Sequence, residues 1–317
     1  MSTPTLAQNE VGTPASRSRH GRPDRANKTR RAGTHPWAFA APAFLFLGVF
    51  FFLPTIFNFV YAFTNWSSFK SEINFVGVEN FTRLFETGDI VRALKVTLTY
   101  AVLVALLQNL FGLLLALLLE ADTRVNRFAR VMFFIPVVMS ALAVGYVFQA
   151  ILKPTGALNG ILTTLLGHDV TIPWLGSTTW TILVVATIHA WKWMGLSMLI
   201  YLAGLKTISE DVLEASRLDG AGPWMTFWKI RFPLLAPAVT FNVATALLGS
   251  MNGFDIVQAT TAGGPARSTE LLNIFIFRTF GQGLFAQATT MSLVLFLAVI
   301  ALAIPLITML RRREDVL

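Results

Sequence analysis

Along this chain, charged positions are separated by long stretches that contain none. Runs without Asp, Glu, Lys or Arg cover residues 37–69, 96–119, 131–152, 170–191, 193–205, 232–254 and 279–310. A helix needs about 20 consecutive apolar residues to cross the hydrocarbon core of a bilayer. Each run holds one such helix, with 170–191 and 193–205 sharing one across Lys192, and none holds two helices and a turn. The pattern predicts six helices, at 38–63, 96–119, 131–152, 179–204, 234–255 and 287–310. Polar or glycine-rich flanks, such as Thr64–Ser68 and Gly281–Gly283, shorten the longer runs. Pro54, Pro136 and Pro237 fall in or near these helices, where membrane segments tolerate proline because neighbouring groups re-satisfy the freed backbone.

Composition agrees. Apolar residues make up 54% of the 317 and charged residues 13%, against about 25% charged in a globular domain. So few charges cannot cover that much apolar surface in water, which makes this an all-α integral membrane protein. The absence of cysteine excludes a disulfide framework, thiolate zinc sites and thiol catalysis. A formal charge of +8 invites a nucleic-acid reading, but its placement points elsewhere. Seventeen Lys and Arg lie before the first helix, in the second and fourth loops and at the C-terminus, against seven on the other side. Basic residues concentrate in cytoplasmic loops, so both termini are expected in the cytoplasm, as an even number of helices requires. No nucleic-acid partner is expected. Residues 1–36, rich in Thr, Ser, Pro and Arg, read as a disordered basic cytoplasmic tail. Residues 37–317 read as one transmembrane domain. The first helix is too long for the apolar core of a signal peptide and is expected to stay uncleaved.

The loop 206–233 stands apart. Ser209 is a plausible helix N-cap, with Glu210 and Asp211 in the first turn where the helix dipole favours acids. Val212, Leu213 and Ser216 recur at helical spacing, and Gly220 can supply a left-handed helix end. Pro223 can open a second short helix, with Trp224, Phe227 and Trp228 on one face and an end before Pro233. Four acids balance four bases across this loop, whereas a helix lying on the membrane surface is usually strongly basic. A neutral, aromatic, bent helix pair suits a protein socket.

Within that loop, Glu214-Ala215-Ser216, Asp219-Gly220-Ala221, Phe227, Ile230 and Pro233 resemble the EAA motif of binding-protein-dependent ABC importer permeases. Phe232 stands where the motif more often has Leu. Phe75 to Phe81 followed by Leu84-Phe85, Trp191 to Leu205, and Gly263-Gly264-Pro265 with Thr269 resemble the sugar-type branch, close to the maltose and multiple-sugar permeases. The large extracytoplasmic insertion of some maltose permeases has no counterpart here. The resemblance implies a type I ABC importer permease fold in a bacterial or archaeal cell membrane. It implies that the bent pair docks as a coupling helix on an ABC ATPase dimer. It further implies a second homologous permease forming a heterodimer, an extracytoplasmic solute-binding protein touching the Gly263-Gly264-Pro265 loop, surrounding membrane lipid, and a carbohydrate cargo. No G-x-x-x-x-G-K-[ST] loop occurs, so ATP and Mg are expected on the partner ATPase, with no cofactor in this chain and no catalytic residue of its own. No H-E-x-x-H occurs either, and His20, His35, His168 and His189 are scattered, so no metal site is expected.

Polar groups inside membrane helices are costly and tend to face a cavity. Lys192, between Trp191 and Trp193, is the one charge in the interior of a predicted helix, Asp255 standing at the very end of another. Lys192, Trp193, Leu196, Ser250, Asn252 and Asp255 are the candidate path residues, the positions around Trp193 and at Ser250 and Asn252 by resemblance to the sugar permeases. Alternatives stay open: Lys192 can snorkel to an interface, Thr245 and Ser250 can serve helix packing, and Asp255 can sit at the outer mouth. A glycerol-phosphate-type cargo in place of a sugar also stays open. The competing class is a proton-coupled secondary transporter titrating Lys192 and Asp255. Such proteins commonly carry inverted repeats, and no convincing repeat is found.

Overall fold

The computed structural model describes residues 36–314, and the side chains of 39–310. The expected disordered tail lies outside the described residues except for Pro36, which begins a helix. The chain divides at Phe50 into two units. Among the described residues every regular element is helical. The helix α1 begins with Pro36–Leu47, passes through a π turn at Gly48–Phe52 and ends with Leu53–Tyr61. It is followed by α2 (Glu79–Glu86), α3 (Asp89–Leu118), α4 (Arg124–Val138), α5 (Ala141–Ile151), α6 (Ala157–Leu166) and α7 (Thr181–Lys206). Then come α8 (Glu210–Leu218), α9 (Pro223–Leu234), α10 (Ala236–Met251), α11 (Phe254–Thr260), α12 (Leu272–Gly281) and α13 (Phe285–Glu314).

Four helices, α1, α3, α7 and α13, are each long and apolar enough to cross a membrane. The other two predicted spans are bent pairs, α4 with α5 at 99° and α9 with α10 at 67°. The expectation of one helix over 131–152 is therefore corrected. Pro136 removes a backbone donor near the end of α4, and Met139 and Ser140 are extended (ψ 147° and 133°), so the chain turns a corner before α5. The span predicted at 234–255 stops at Met251, and Asn252-Gly253 separate it from α11. The expected end of α9 before Pro233 is also corrected. A π turn over Phe227–Arg231 widens the helical ladder just ahead of the proline, and the helix runs through it to Leu234. α3 starts earlier than the predicted 96, taking in Arg92 and Lys95 in its first two turns.

The main seam joins α3 to α7. Tyr100 meets His189 and Gln108 meets Ser197, each pair 89 residues apart, so the two helices run parallel. Lipid supplies no hydrophobic drive for helix association, and close contact of small residues takes its place. α3 accordingly buries Ala93, Thr97, Ala101, Ala105, Gly112 and Ala116. A Cβ on Gly112 would lie 2.5 Å from that of Ser197. α4 approaches α7 even more closely, since a Cβ on Gly195 would lie 2.2 Å from the Phe133 carbonyl oxygen. α10 completes this wall, with Ala246, Leu247 and Met251 packed among Ala101 and Ala105.

Candidate functional site

Both breaks face one cavity of about 290 Å³. Its wall includes Ala141 just beyond the α4–α5 corner, and Asn252, Gly253, Phe254 and Asp255 at the α10–α11 break. Irregular backbone at membrane depth is tolerated where it lines such a cavity. α3 contributes Gln108, α7 contributes His189, Trp193 and Leu196, and α10 contributes Thr245 and Ser250. These side chains are held from behind. His189 Nδ1 and the Tyr100 hydroxyl share a hydrogen bond of 2.8 Å, and Gln108 Nε2 donates to Ser197 Oγ at 2.9 Å. Tyr100 also lies under the break, where a Cβ on Gly253 would come within 2.8 Å of its ring. The result is an apolar concavity with one indole in its wall and several convergent hydrogen-bonding groups, the general make-up of a small-molecule site.

Of the candidate path residues, Trp193, Leu196, Ser250, Asn252 and Asp255 are brought to this cavity. Lys192 is not among its lining residues. It is buried at 2% exposure, and its Nζ donates to the Val137 carbonyl at 3.1 Å while lying 4.2 Å from the Trp193 ring centroid. The α4–α5 corner explains this. The last carbonyls of a helix have no intrahelical donor, and the ammonium satisfies one of them. Gln108 and His189 line the cavity without having been singled out as path residues. Their signal in the sequence was only that each is a polar residue in a charge-free run.

At the end of α7 the chain enters α8 and α9. α8 closes on Gly220, in the left-handed region at φ 79°, with Ala221 N–H donating to Ser216 C=O at 3.0 Å and Gly220 N–H to Arg217 C=O at 3.0 Å. That pairing satisfies carbonyls the helix end would otherwise leave free. Ser209 is extended ahead of α8 but makes no side-chain cap. Ser216 is buried and donates to Leu213 C=O, while Glu214, Ala215, Asp219 and Gly220 are exposed. Ala221, Phe227, Ile230 and Pro233 are half-buried. Trp224 packs edge-on against Trp228, which also meets Phe227 and Phe232. Leu218 and Trp224 nonetheless project, 89% and 76% exposed.

Because α3 and α7 are parallel, the start of α3 lies at the opposite end from this segment. There the buried carboxylate of Glu270 faces Arg92 at 3.6 Å and Arg267 at 3.7 Å and pairs with Arg278. Ala262, Ala266 and Arg267 all adopt positive φ in the loop that delivers it, and Thr269 Oγ1 donates to Gly264 C=O at 2.7 Å to hold the loop's shape. Asn80, in the Phe75–Phe81 stretch, is buried and donates to the carbonyls of Ala62 and Thr64.

Residues 108–313, more than half of the chain, match the family described as binding-protein-dependent transport system inner membrane component. The chain belongs to that family. This permease is 31% identical over 274 residues to the "Probable ABC transporter permease protein YurN" of Bacillus subtilis (strain 168), covering 85% of this chain and 93% of that one. It is 29% identical over 273 residues to the "Multiple sugar-binding transport system permease protein MsmF" of Streptococcus mutans, covering 83% and 90%. A chain in the crystal structure of a bacterial ABC transporter involved in the import of the acidic polysaccharide alginate superposes with a TM-score of 0.75. Identity there is 21%, with 88% of this chain and 95% of that chain covered. At that identity the likeness establishes the fold, that of a type I ABC importer permease. The matched region of the permease takes in every candidate coupling and path residue.

Proposed function

We propose that this permease passes a neutral carbohydrate into the cytoplasm as one subunit of an ATP-driven importer. The single observation carrying the cargo assignment is the cavity wall. Trp193 offers a ring face for sugar C–H groups, and Gln108, His189, Thr245, Ser250 and Asn252 offer partners for hydroxyls. Asp255 is the one carboxylate among the lining residues, and neither Lys nor Arg joins it. A phosphate or uronate in the cavity would meet that carboxylate with no cation in the lining to pair with. A glycerol-phosphate cargo is therefore disfavoured, as is an acidic polysaccharide.

The remaining parts follow from that reading. Six crossings, with each bent pair counted once, put both termini in the cytoplasm with the excess of basic residues. Parallel α3 and α7 support the count, because the chain must return across the membrane between them. Glu214 to Ala221, with Phe227, Ile230 and Pro233, form the coupling helix for a separate ATPase dimer that binds ATP and Mg. Leu218 and Trp224 expose the apolar surface such docking would cover. A second, homologous permease closes the path in a heterodimer, and a solute-binding protein delivers cargo at the end bearing Glu270. Nucleotide-driven closure of the ATPase moves the coupling helix and exposes the path alternately to either side.

The test uses the transporter purified through this chain with its co-purifying subunits and reconstituted in liposomes. Labelled maltotriose and a uronate trisaccharide of matched size are offered with and without internal ATP. ATP-dependent uptake of the neutral sugar alone is expected. Preference for the uronate overturns the cargo assignment. Uptake by this chain without any ATPase establishes the proton-coupled alternative instead.

A further inference from the structure

We propose that Glu120 and Arg231 form the strut through which movement of the α8–α9 segment reaches α3 and the cavity. The covalent connections of that segment are poor transmitters. Thr207, Ile208 and Ser209 join it to α7 without helix, and a 67° corner at Leu235 separates α9 from α10. The ion pair bypasses both. Arg231 sits in the π turn of α9, and its Nη2 pairs with Glu120 Oε1, two residues beyond the end of α3. The two side chains are 22% and 32% exposed, so solvent screens them less than a surface pair. A bond between two charged groups is also stronger and more directional than a neutral one.

A strut must have a fixed far end, and Arg130 of α4 supplies it. Its guanidinium donates to the Leu119 carbonyl through Nε at 3.0 Å and through Nη2 at 2.6 Å. Nη2 also reaches the carbonyls of Glu120 and Ala121, each at 3.1 Å. Those carbonyls follow the last turn of α3 and have no helical donor of their own. Arg130 is itself only 14% exposed and lies 3.8 Å from Asp122. The corner after α3 is thus clamped to α4, with the Glu120 carboxylate turned toward the docking segment. Ten residues back from Leu118, the last residue of α3, about 15 Å at 1.5 Å per residue, Gln108 enters the cavity wall. α3 is a continuous helix from Gln108 to Leu118, and the Arg130 clamp holds the two further residues to Glu120. Glu120 and Arg231 are positioning residues: they touch no cargo and pass displacement to the helix that does.

This inference rests on the reading that the segment docks an ATPase, and the experiment separates the two. The chain has no cysteine, so Ala141→Cys places a lone reporter thiol on the cavity wall. Its maleimide labelling rate is followed in the assembled transporter with and without ATP plus vanadate, beside ATP hydrolysis. In the parent, nucleotide trapping is expected to change the labelling rate. In E120Q and R231Q that change is expected to shrink about tenfold, as the loss of a hydrogen bond between charged groups allows, while ATP hydrolysis and subunit retention persist. The exchange E120R/R231E is expected to restore the response. A full response in both single variants overturns the strut. Loss of hydrolysis in step with the response also overturns it, because the pair would then serve docking alone. Failure of the exchange to restore any response overturns the claim that the charge pair carries the motion. A parent with no nucleotide response overturns the ATP-driven reading itself.

Discussion

Around the cavity, Tyr100, His189, Gln108 and Ser197 are buried and bonded to one another across the α3–α7 seam. In the α8–α9 segment, Leu218 and Trp224 stand almost free. The first region has satisfied its polar groups within one chain and left a concavity. The second has satisfied its backbone, through the left-handed turn at Gly220, and left apolar side chains that project, Trp224 with only the edge of Trp228 against it. Exposed apolar groups rimmed by polar ones mark an interaction site. The difference separates what this chain does for itself from what it asks of a partner. Substitutions in the first region should be felt by the isolated protein, and those in the second by the assembly.

The comparison can be broken most severely at Gly195. Gly195→Leu drives a side chain into the Phe133 carbonyl, and backbone cannot yield as a flexible side chain can. The expected loss is about 3 kcal/mol or more, seen as failure of the chain to survive size-exclusion chromatography in mild detergent. Trp224→Ala tests the opposite pole. Stability of the isolated chain should stay within about 0.5 kcal/mol in denaturant titration. ATPase retention should weaken by about 2 kcal/mol, the scale of an aromatic hot spot. A destabilised isolated chain would show that the tryptophan belongs to the fold.

A smaller effect is expected at Gly220. No atom lies within 4 Å of a Cβ built there, so Gly220→Ala costs only the left-handed backbone, about 1–2 kcal/mol. Hydrogen exchange of residues 216–224 should accelerate about tenfold while the α3–α7 seam keeps its protection. Lys192→Met should have the mildest outcome. The Val137 carbonyl loses its donor at a cost of about 1 kcal/mol, and uptake by the assembled transporter should be largely retained. Abolished uptake with unchanged stability would return Lys192 to the path.

Lys192 also shows how far the sequence could be read. As the one charge in the interior of a predicted span it drew a lining role, because polar groups there tend to face a cavity. The partner is a carbonyl freed by the 99° corner, and hydropathy over 131–152 runs on without a sign of that corner. Pro136 was visible, but proline is tolerated in membrane helices often enough that its presence did not place a break three residues later. Three of the four unbroken spans were legible because their charge-free runs exceed the bilayer requirement, and the fourth because Lys192 alone interrupts an otherwise apolar run. The turn at Gly220 and the helix opening at Pro223 were legible because backbone chemistry alone demands them. Gln108 and His189 were not, since a neutral polar residue on an apolar helix can face a neighbour or a cavity. Only the parallel register of α3 and α7 tells which.

The loop carrying Ala262, Ala266 and Arg267 in the left-handed region has a practical consequence for anyone attaching a tag or inserting a reporter on that side of the protein. Its φ values and the buried Glu270 fix each residue to one place in the loop. An added or deleted residue would break the register that lets Thr269 Oγ1 reach the Gly264 carbonyl, or pull the carboxylate from its arginines. The stretch Ser71–Ile73 offers the contrary case. It is exposed throughout, and its base is closed by Asn65 N–H to Asn74 C=O at 3.0 Å and Asn74 N–H to Asn65 Oδ1 at 2.8 Å. An epitope placed after Glu72 leaves that base intact, and it is there that the protein can be handled without disturbing its machinery.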